Sequence, residues 1–232
     1  MGPTVQRLTP VYLVVDVSWS MSTQGKLEAA NGIITAVADA LRRDPAVARR
    51  VRLGLIDFSR DARVRLPLCD LTASGVELPR LRVRNGTSFS AAFATVRQQL
   101  EADTAPRDGP GRLGPPTVFF MSDGEPTDDE SVWRTAFHSL IAHDSRPAVV
   151  PCGIDEAETH VMGSLVHPLT GPARTALFMM ADGTAAATAV TAVGEILIAS
   201  LLRPGNADGR LALPGPAELP AGLRRYEPEE FG

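Results

Sequence analysis

Lysine is almost missing from this chain: of 23 basic residues, Lys26 alone is a lysine and the rest are arginines. A bias that general reflects residue usage rather than selection for phosphate. The concentration Arg42, Arg43, Arg49, Arg50, Arg52, Arg60, Arg63 and Arg65 is therefore read first as a solvated surface. Aromatics are scarce at 5%, and none interleaves those arginines as a base-stacking platform requires. A net charge of −4 gives no global reason to expect nucleic acid or an anionic membrane as partner. Two cysteines, Cys69 and Cys152, are too few for a disulfide framework and too far apart for a metal knuckle. Cys152 follows an apolar run and reads as a small buried residue. His138, His143, His160 and His167 show no ligand spacing, which argues against zinc. No glycine-rich loop ends in Lys-Ser or Lys-Thr, and no Ser-His-Asp set can be assembled. An aspartate-nucleophile phosphatase would carry a second acid two residues after Asp16, where Ser18 stands. These gaps point away from catalysis.

Long apolar runs are also few. Ala185 to Leu202 is the one stretch that could pass for a membrane span. Glu195 interrupts it, and Val190, Val193, Leu197 and Leu201 recur at helical spacing, as on a packed face. Met1 to Pro10 contains no apolar signal-peptide core, so the expected location is cytoplasmic.

With 232 residues and 44% hydrophobic content, the chain can bury one sizeable α/β core. Two apolar runs, Val11–Val15 and Val118–Met121, end in Asp16-Val17-Ser18-Trp19-Ser20 and Ser122-Asp123-Gly124. Each reads as a buried strand carrying a carboxylate to its C-terminal tip. Thr87, in Asn85-Gly86-Thr87-Ser88, adds a polar corner just before a helical pattern. Three hydroxyls and two carboxylates without His or Cys form a hard, all-oxygen donor set, the kind Mg²⁺ or Mn²⁺ prefers.

Periodicity predicts helices over about Lys26–Arg43, Ser88–Leu100, Thr127 onward, Glu156–Leu165 and Ala185–Leu202. The helix at Thr127 would open on a capping box with Glu130 and pack Trp133 inward. Strands are predicted at Val51–Phe58, Arg63–Leu68, Thr117–Ser122, Ala148–Gly153 and Thr175–Met180. The turn between the first two of these is too short for a crossover, so they pair antiparallel at an edge. Residues 71–84 and 103–116 read as connections. Strand–helix alternation then implies a mostly parallel sheet with helices on both faces. Such sheets bind ligands at the strand C-termini, where strand order reverses.

Asp-x-Ser-x-Ser after the first strand, a central Thr and an Asp closing a later strand resemble the metal-ion-dependent adhesion site of von Willebrand factor A domains. Within that family, Pro10–Asp16, Asp57–Ala62 and Ser122–Asp128 are similar to bacterial tellurium-resistance-associated members. The resemblance covers residues 9–202 and implies one Rossmann-like domain. Its expected sheet has six strands, mostly parallel with one antiparallel edge strand, and the strands of Asp16 and Asp123 lie side by side. It implies Ser18, Ser20 and Thr87 as direct metal ligands, with Asp16 and Asp123 direct or through water. An open metal position would accept a partner's Asp or Glu, without catalysis. Implied partners are proteins, such as a kinase and a phosphatase, in a stress, tellurium-resistance or defence assembly. The alternatives are a cofactor of an AAA+ ATPase chaperone or a metal-dependent hydrolase.

Two positions stay open. Trp19 stands where relatives have glycine; it either anchors a partner or folds over the neighbouring loop. Residues 203–232 are rich in Pro and Gly and are either disordered or draped on the domain. Their Glu227, Glu229 and Glu230 either fill a metal site of the same or another copy, or are solvated.

Overall fold

The computed structural model describes residues 6–104, 111–171, 174–203 and 210–230. Eight strands form one sheet: β1 (Gln6–Asp16), β2 (Val51–Phe58), β3 (Ala62–Cys69), β4 (Gly111–Leu113), β5 (Thr117–Ser122), β6 (Ala148–Gly153), β7 (Leu177–Met180) and β8 (Leu223–Tyr226). Its order is β3-β2-β1-β5-β6-β7-β8, with β4 continuing the line of β5 along the start of β1. All pairings are parallel except β2–β3 and β7–β8.

The helices are α1 (Lys26–Arg43), α2 (Pro45–Ala48), α3 (Phe89–Thr104), α4 (Glu130–Ile141), α5 (Thr159–Gly163) and α6 (Ala186–Leu202). Each central strand is buried on both faces, so alternate side chains enter two separate cores. Val11, Leu13 and Val15 pack with α1 and α6, whereas Tyr12 and Val14 pack with α3 and α4. The second core is aromatic: Phe58 stacks on Phe120, with Phe89 edge-on to both and to Trp133. Such offset and edge-to-face contacts add to plain area burial. Trp133 is therefore a core residue, as its spacing predicts.

All six expected strands are present, and two short ones join them. β4 arises inside the expected surface connection 103–116. β8 arises in the tail, whose described residues 210–230 are draped on the domain. Leu211 and Leu223 of the tail are buried in the α1/α6 core, and Arg224 pairs with Asp182. The tail thereby covers the edge of β7 and supplies a second antiparallel edge. At the other edge, β3 carries Arg63, Arg65 and Pro67, which discourage pairing with another chain.

Two further expectations shift. Helix α4 starts at Glu130 with no side-chain cap bond, so Thr127 opens no capping box. Helix α5 is shorter than expected, five residues from Thr159. Of the arginine concentration, Arg42 pairs with Asp39, Arg63 with Asp61 and Arg65 with Asp57, with Arg42 and Arg63 still more than half exposed. Cys152 is buried, and burial pushes its thiol far up; Cys69 and Cys152 form no disulfide. No helix among the described residues is long and apolar enough to cross a membrane.

Candidate metal centre

β1 and β5 are neighbours and run parallel, so Asp16 and Ser122 reach the same C-terminal edge of the sheet, at the point of strand reversal. Asp16 is fully buried. Its Oδ1 accepts the Ser18 backbone N–H at 2.8 Å, and its Oδ2 accepts the Ser122 hydroxyl at 2.7 Å. Burial is the main influence on this carboxyl and, despite those hydrogen bonds, lifts its pKa from 3.8 to about 6; Asp123 nearby adds to the rise. The loop beyond Asp16 turns into one 3-10 turn, Trp19–Ser22, which aims Ser18 and Ser20 inward. Their hydroxyls lie 2.9 Å apart, and the Ser20 hydroxyl donates to Asp123 Oδ1 at 2.6 Å. Ser18 Oγ stands 3.5 Å from the same oxygen. Asp16, Ser18, Ser20 and Asp123 are thus one hydrogen-bonded cluster, in which the Ser18 N–H joins Asp16 to the rest and Ser122 donates to Asp16.

Thr87 reaches this edge by backbone pins on three sides. The Arg84 N–H donates to Val17 O at 2.7 Å, the Ser88 N–H to Ser59 O at 2.6 Å, and the Thr127 N–H to Thr87 O at 2.8 Å. Gly86 is required there: φ is +85°, and a Cβ would stand 3.1 Å from the Arg60 Cβ. Arg84 clamps the loop by pairing with buried Asp57 at the end of β2 and with Asp61. Thr127 and Asp128 belong to this loop rather than to α4. Asp128 accepts the Phe89 and Ser90 N–H groups at 3.2 and 2.8 Å, capping α3 from another element.

Sequence reasoning missed one member of the centre. Lys26, at the first position of α1, is 1% exposed, and its Nζ lies 2.6 Å from Asp123 Oδ2 and 2.7 Å from Asp155 Oδ2. Burial alone would lower its pKa, but the two carboxylates more than offset this and hold it raised. The contact with Asp123 lacks hydrogen-bond angles, so buried Asp123 Oδ2 has an ion-pair partner but no directional donor. The signal available in the sequence was the lone lysine itself, directly after a predicted strand–loop.

The five expected residues Asp16, Ser18, Ser20, Thr87 and Asp123 are therefore carried to one end of the sheet. Their oxygens suit a hard divalent cation: Asp16 and Asp123 are both buried, the ammonium of Lys26 meets Asp123, and Asp123 Oδ2 is short of a donor. Histidine and cysteine contribute nothing to this cluster.

Residues 11–125 match the family model of the von Willebrand factor type A domain. The fold is that of a von Willebrand factor type A domain. Solved structures agree on the fold. The von Willebrand factor type A protein from Catenulispora acidiphila superposes with a TM-score of 0.60 at 16% identity, over 84% of this chain and 43% of that one. The pilus adhesin SpaC from Lactobacillus rhamnosus GG gives 0.61 at 16% identity, over 84% and 30% of the two chains. Proximal thread matrix protein 1 from the mussel byssus, a structure with zinc in its MIDAS motif, gives 0.58 at 14%, over 84% and 48%. The chain spans less than half the length of each of these proteins. Among curated proteins, none matches the sequence.

Trp19 departs from the adhesion-site pattern without strain. It sits in the 3-10 turn and is not among the residues with positive φ, so glycine is not required. Its side chain is 69% exposed and does not fold over the neighbouring loop. The tail carboxylates cannot enter the site of their own chain. β8 runs antiparallel to β7, so Glu227 follows the strand at the opposite end of the sheet, where it and Glu229 pair with Arg174.

Proposed function

We propose that this chain is a non-enzymatic protein-interaction module that captures an acidic residue of a partner through a divalent cation, Mg²⁺ or Mn²⁺. One observation carries the reading. Asp16 and Asp123 are both buried at the strand ends, and the Lys26 ammonium, itself shared with Asp155, meets Asp123 and leaves the Asp16 carboxyl to hydrogen bonds. Excess buried negative charge is costly unless a cation joins it. Ser18, Ser20, Thr87 and Asp123 would hold the ion, with Asp16 acting on it directly or through water. Hydroxyl ligands fill coordination directions without neutralising charge. A bound ion supplies one further electrophilic position for an outside carboxylate.

Trp19 stands exposed on the loop that supplies Ser18 and Ser20, and gives a partner an aromatic contact beside the charge contact. No side chain of the cluster is a general base or nucleophile with an activating histidine, which favours binding over hydrolysis. The finer placement, in a bacterial stress or tellurium-resistance assembly with a kinase and a phosphatase in the cytoplasm, rests on the motif resemblance alone.

The test is titration of the pure protein with Mn²⁺ followed by pull-down from lysate with metal and with chelator. Saturable binding lost in Asp16→Ala, and a partner retained only with metal, support the reading. Equal metal affinity in Asp16→Ala, or a partner indifferent to chelator, overturns it.

A further inference from the structure

Lys26 is placed against its local electrostatics. A cation at the first position of a helix meets the positive end of the helix dipole, and Lys26 is buried as well, which costs more. Two carboxylates offset both costs. Asp123 belongs to the metal centre; Asp155, on the loop after β6, lies outside it and is 24% exposed on its side chain. Asp155 holds a left-handed φ of +54° without being glycine, and Gln24, facing it with Nε2 at 3.5 Å from Asp155 Oδ2, holds +53°. Two non-glycine residues in this region show that the packing enforces the arrangement.

The residue type also matters. In a chain that uses arginine everywhere else, this position has a compact ammonium. Its three donors turn freely between acceptors, whereas a guanidinium is a rigid planar fork that bridges two fixed carboxylates differently.

We propose that Lys26 is the resident counter-cation of the metal centre, competing with the divalent ion for Asp123 and resting on Asp155 when the ion takes it. The proposal rests on the metal reading above and deepens it. In the metal-free chain Lys26 compensates Asp123. Once a divalent ion is held, Lys26 becomes a like charge close by, and Asp155 keeps it from being stranded. The metal affinity of the isolated domain is thereby held low. A partner's carboxylate brings the missing negative charge, so metal and partner bind each other's complex more tightly than either binds the free chain.

The experiment is Mn²⁺ titration of the full chain, read by the electron paramagnetic resonance signal of free Mn²⁺, for wild type, Lys26→Met, Asp155→Asn and the double variant. Thermal melts in chelator run alongside. Lys26→Met should melt lower than wild type in chelator yet bind Mn²⁺ about tenfold or more tightly. A Lys26 that only braces Asp123 would give the same lower melt but weaker metal binding. Asparagine accepts the left-handed φ of position 155, so Asp155→Asn keeps the test alive should Lys26→Met fail to fold. Asp155→Asn should weaken Mn²⁺ binding severalfold in the wild-type background. In the Lys26→Met background that effect should vanish, because Asp155 acts through Lys26. Unchanged or weaker binding in folded Lys26→Met, or an Asp155→Asn with wild-type affinity, overturns the proposal while leaving the metal reading intact. No saturable Mn²⁺ binding in any of the four proteins overturns both.

Discussion

Asp16→Asn should make the metal-free protein more stable while abolishing its metal site. The substitution is isosteric, and the surroundings can accept it. Asn Oδ1 can keep the Ser18 N–H, and its Nδ2 can donate to Ser122 Oγ. The Ser122 hydroxyl, already 3.2 Å from Gly124 O, turns to donate there. What disappears is a buried negative charge. Burial first, and Asp123 with it, raises the carboxyl's pKa from 3.8 to about 6. That rise costs the metal-free folded state about 3 kcal/mol once the pH is well above 6. Because the folded state holds this proton more tightly than the unfolded chain, the stability that Asp16 contributes is fully present below pH 3.8 and is lost as pH rises through about 6. The variant has no proton to lose. In chelator at pH 8 it should melt roughly 5–10 °C above wild type, and the gap should shrink towards pH 4. Adding Mn²⁺ should raise the melting temperature of wild type only. A variant no more stable than wild type at pH 8, or a gap as wide at pH 4 as at pH 8, would refute the reasoning.

Arg84→Ala leaves buried Asp57, at the end of β2, with only the longer contact to Arg65 and frees the Thr87 loop. Denaturant unfolding should show a loss of about 3 kcal/mol, with Asp57→Asn in the same chain recovering part of it. Asp128→Ala removes the cap of α3, so stability should fall by about 1–2 kcal/mol. Mn²⁺ affinity should fall with it, because Asp128 also holds Ser88, next to Thr87. Trp19→Ala should leave the melting temperature and Mn²⁺ affinity nearly unchanged, since its ring is in solvent. It should weaken only the metal-dependent capture of a partner, as measured by quantitative pull-down.

Elements with a strong local pattern were legible in the chain. α1, β2, β5 and β6 have the expected bounds, because an amphipathic period or a fully buried apolar run is a local property. The candidate oxygen donors were legible for the same reason: each stands at the tip of such a run or beside a glycine turn. Shorter elements were not. β4 and β8 have three and four residues and form only because a partner strand offers its edge. Asp128 looks like the start of the helix that follows it, yet it caps a helix nearly 40 residues earlier, since the two loops meet only in space.

The amino-acid sequence by itself determined the fold class, the doubly buried central strands and the collection of hydroxyls and carboxylates at their tips. The tertiary structure alone decided the charge balance of that collection. Lys26 and Asp123 are 97 residues apart, and Asp155 is 129 from Lys26. Nothing along the chain shows that they meet. Their contact follows from the adjacency of β1, β5 and β6, which brings three separate loops to one edge. Electrostatic energy depends on distance and burial, neither of which is a property of any one segment.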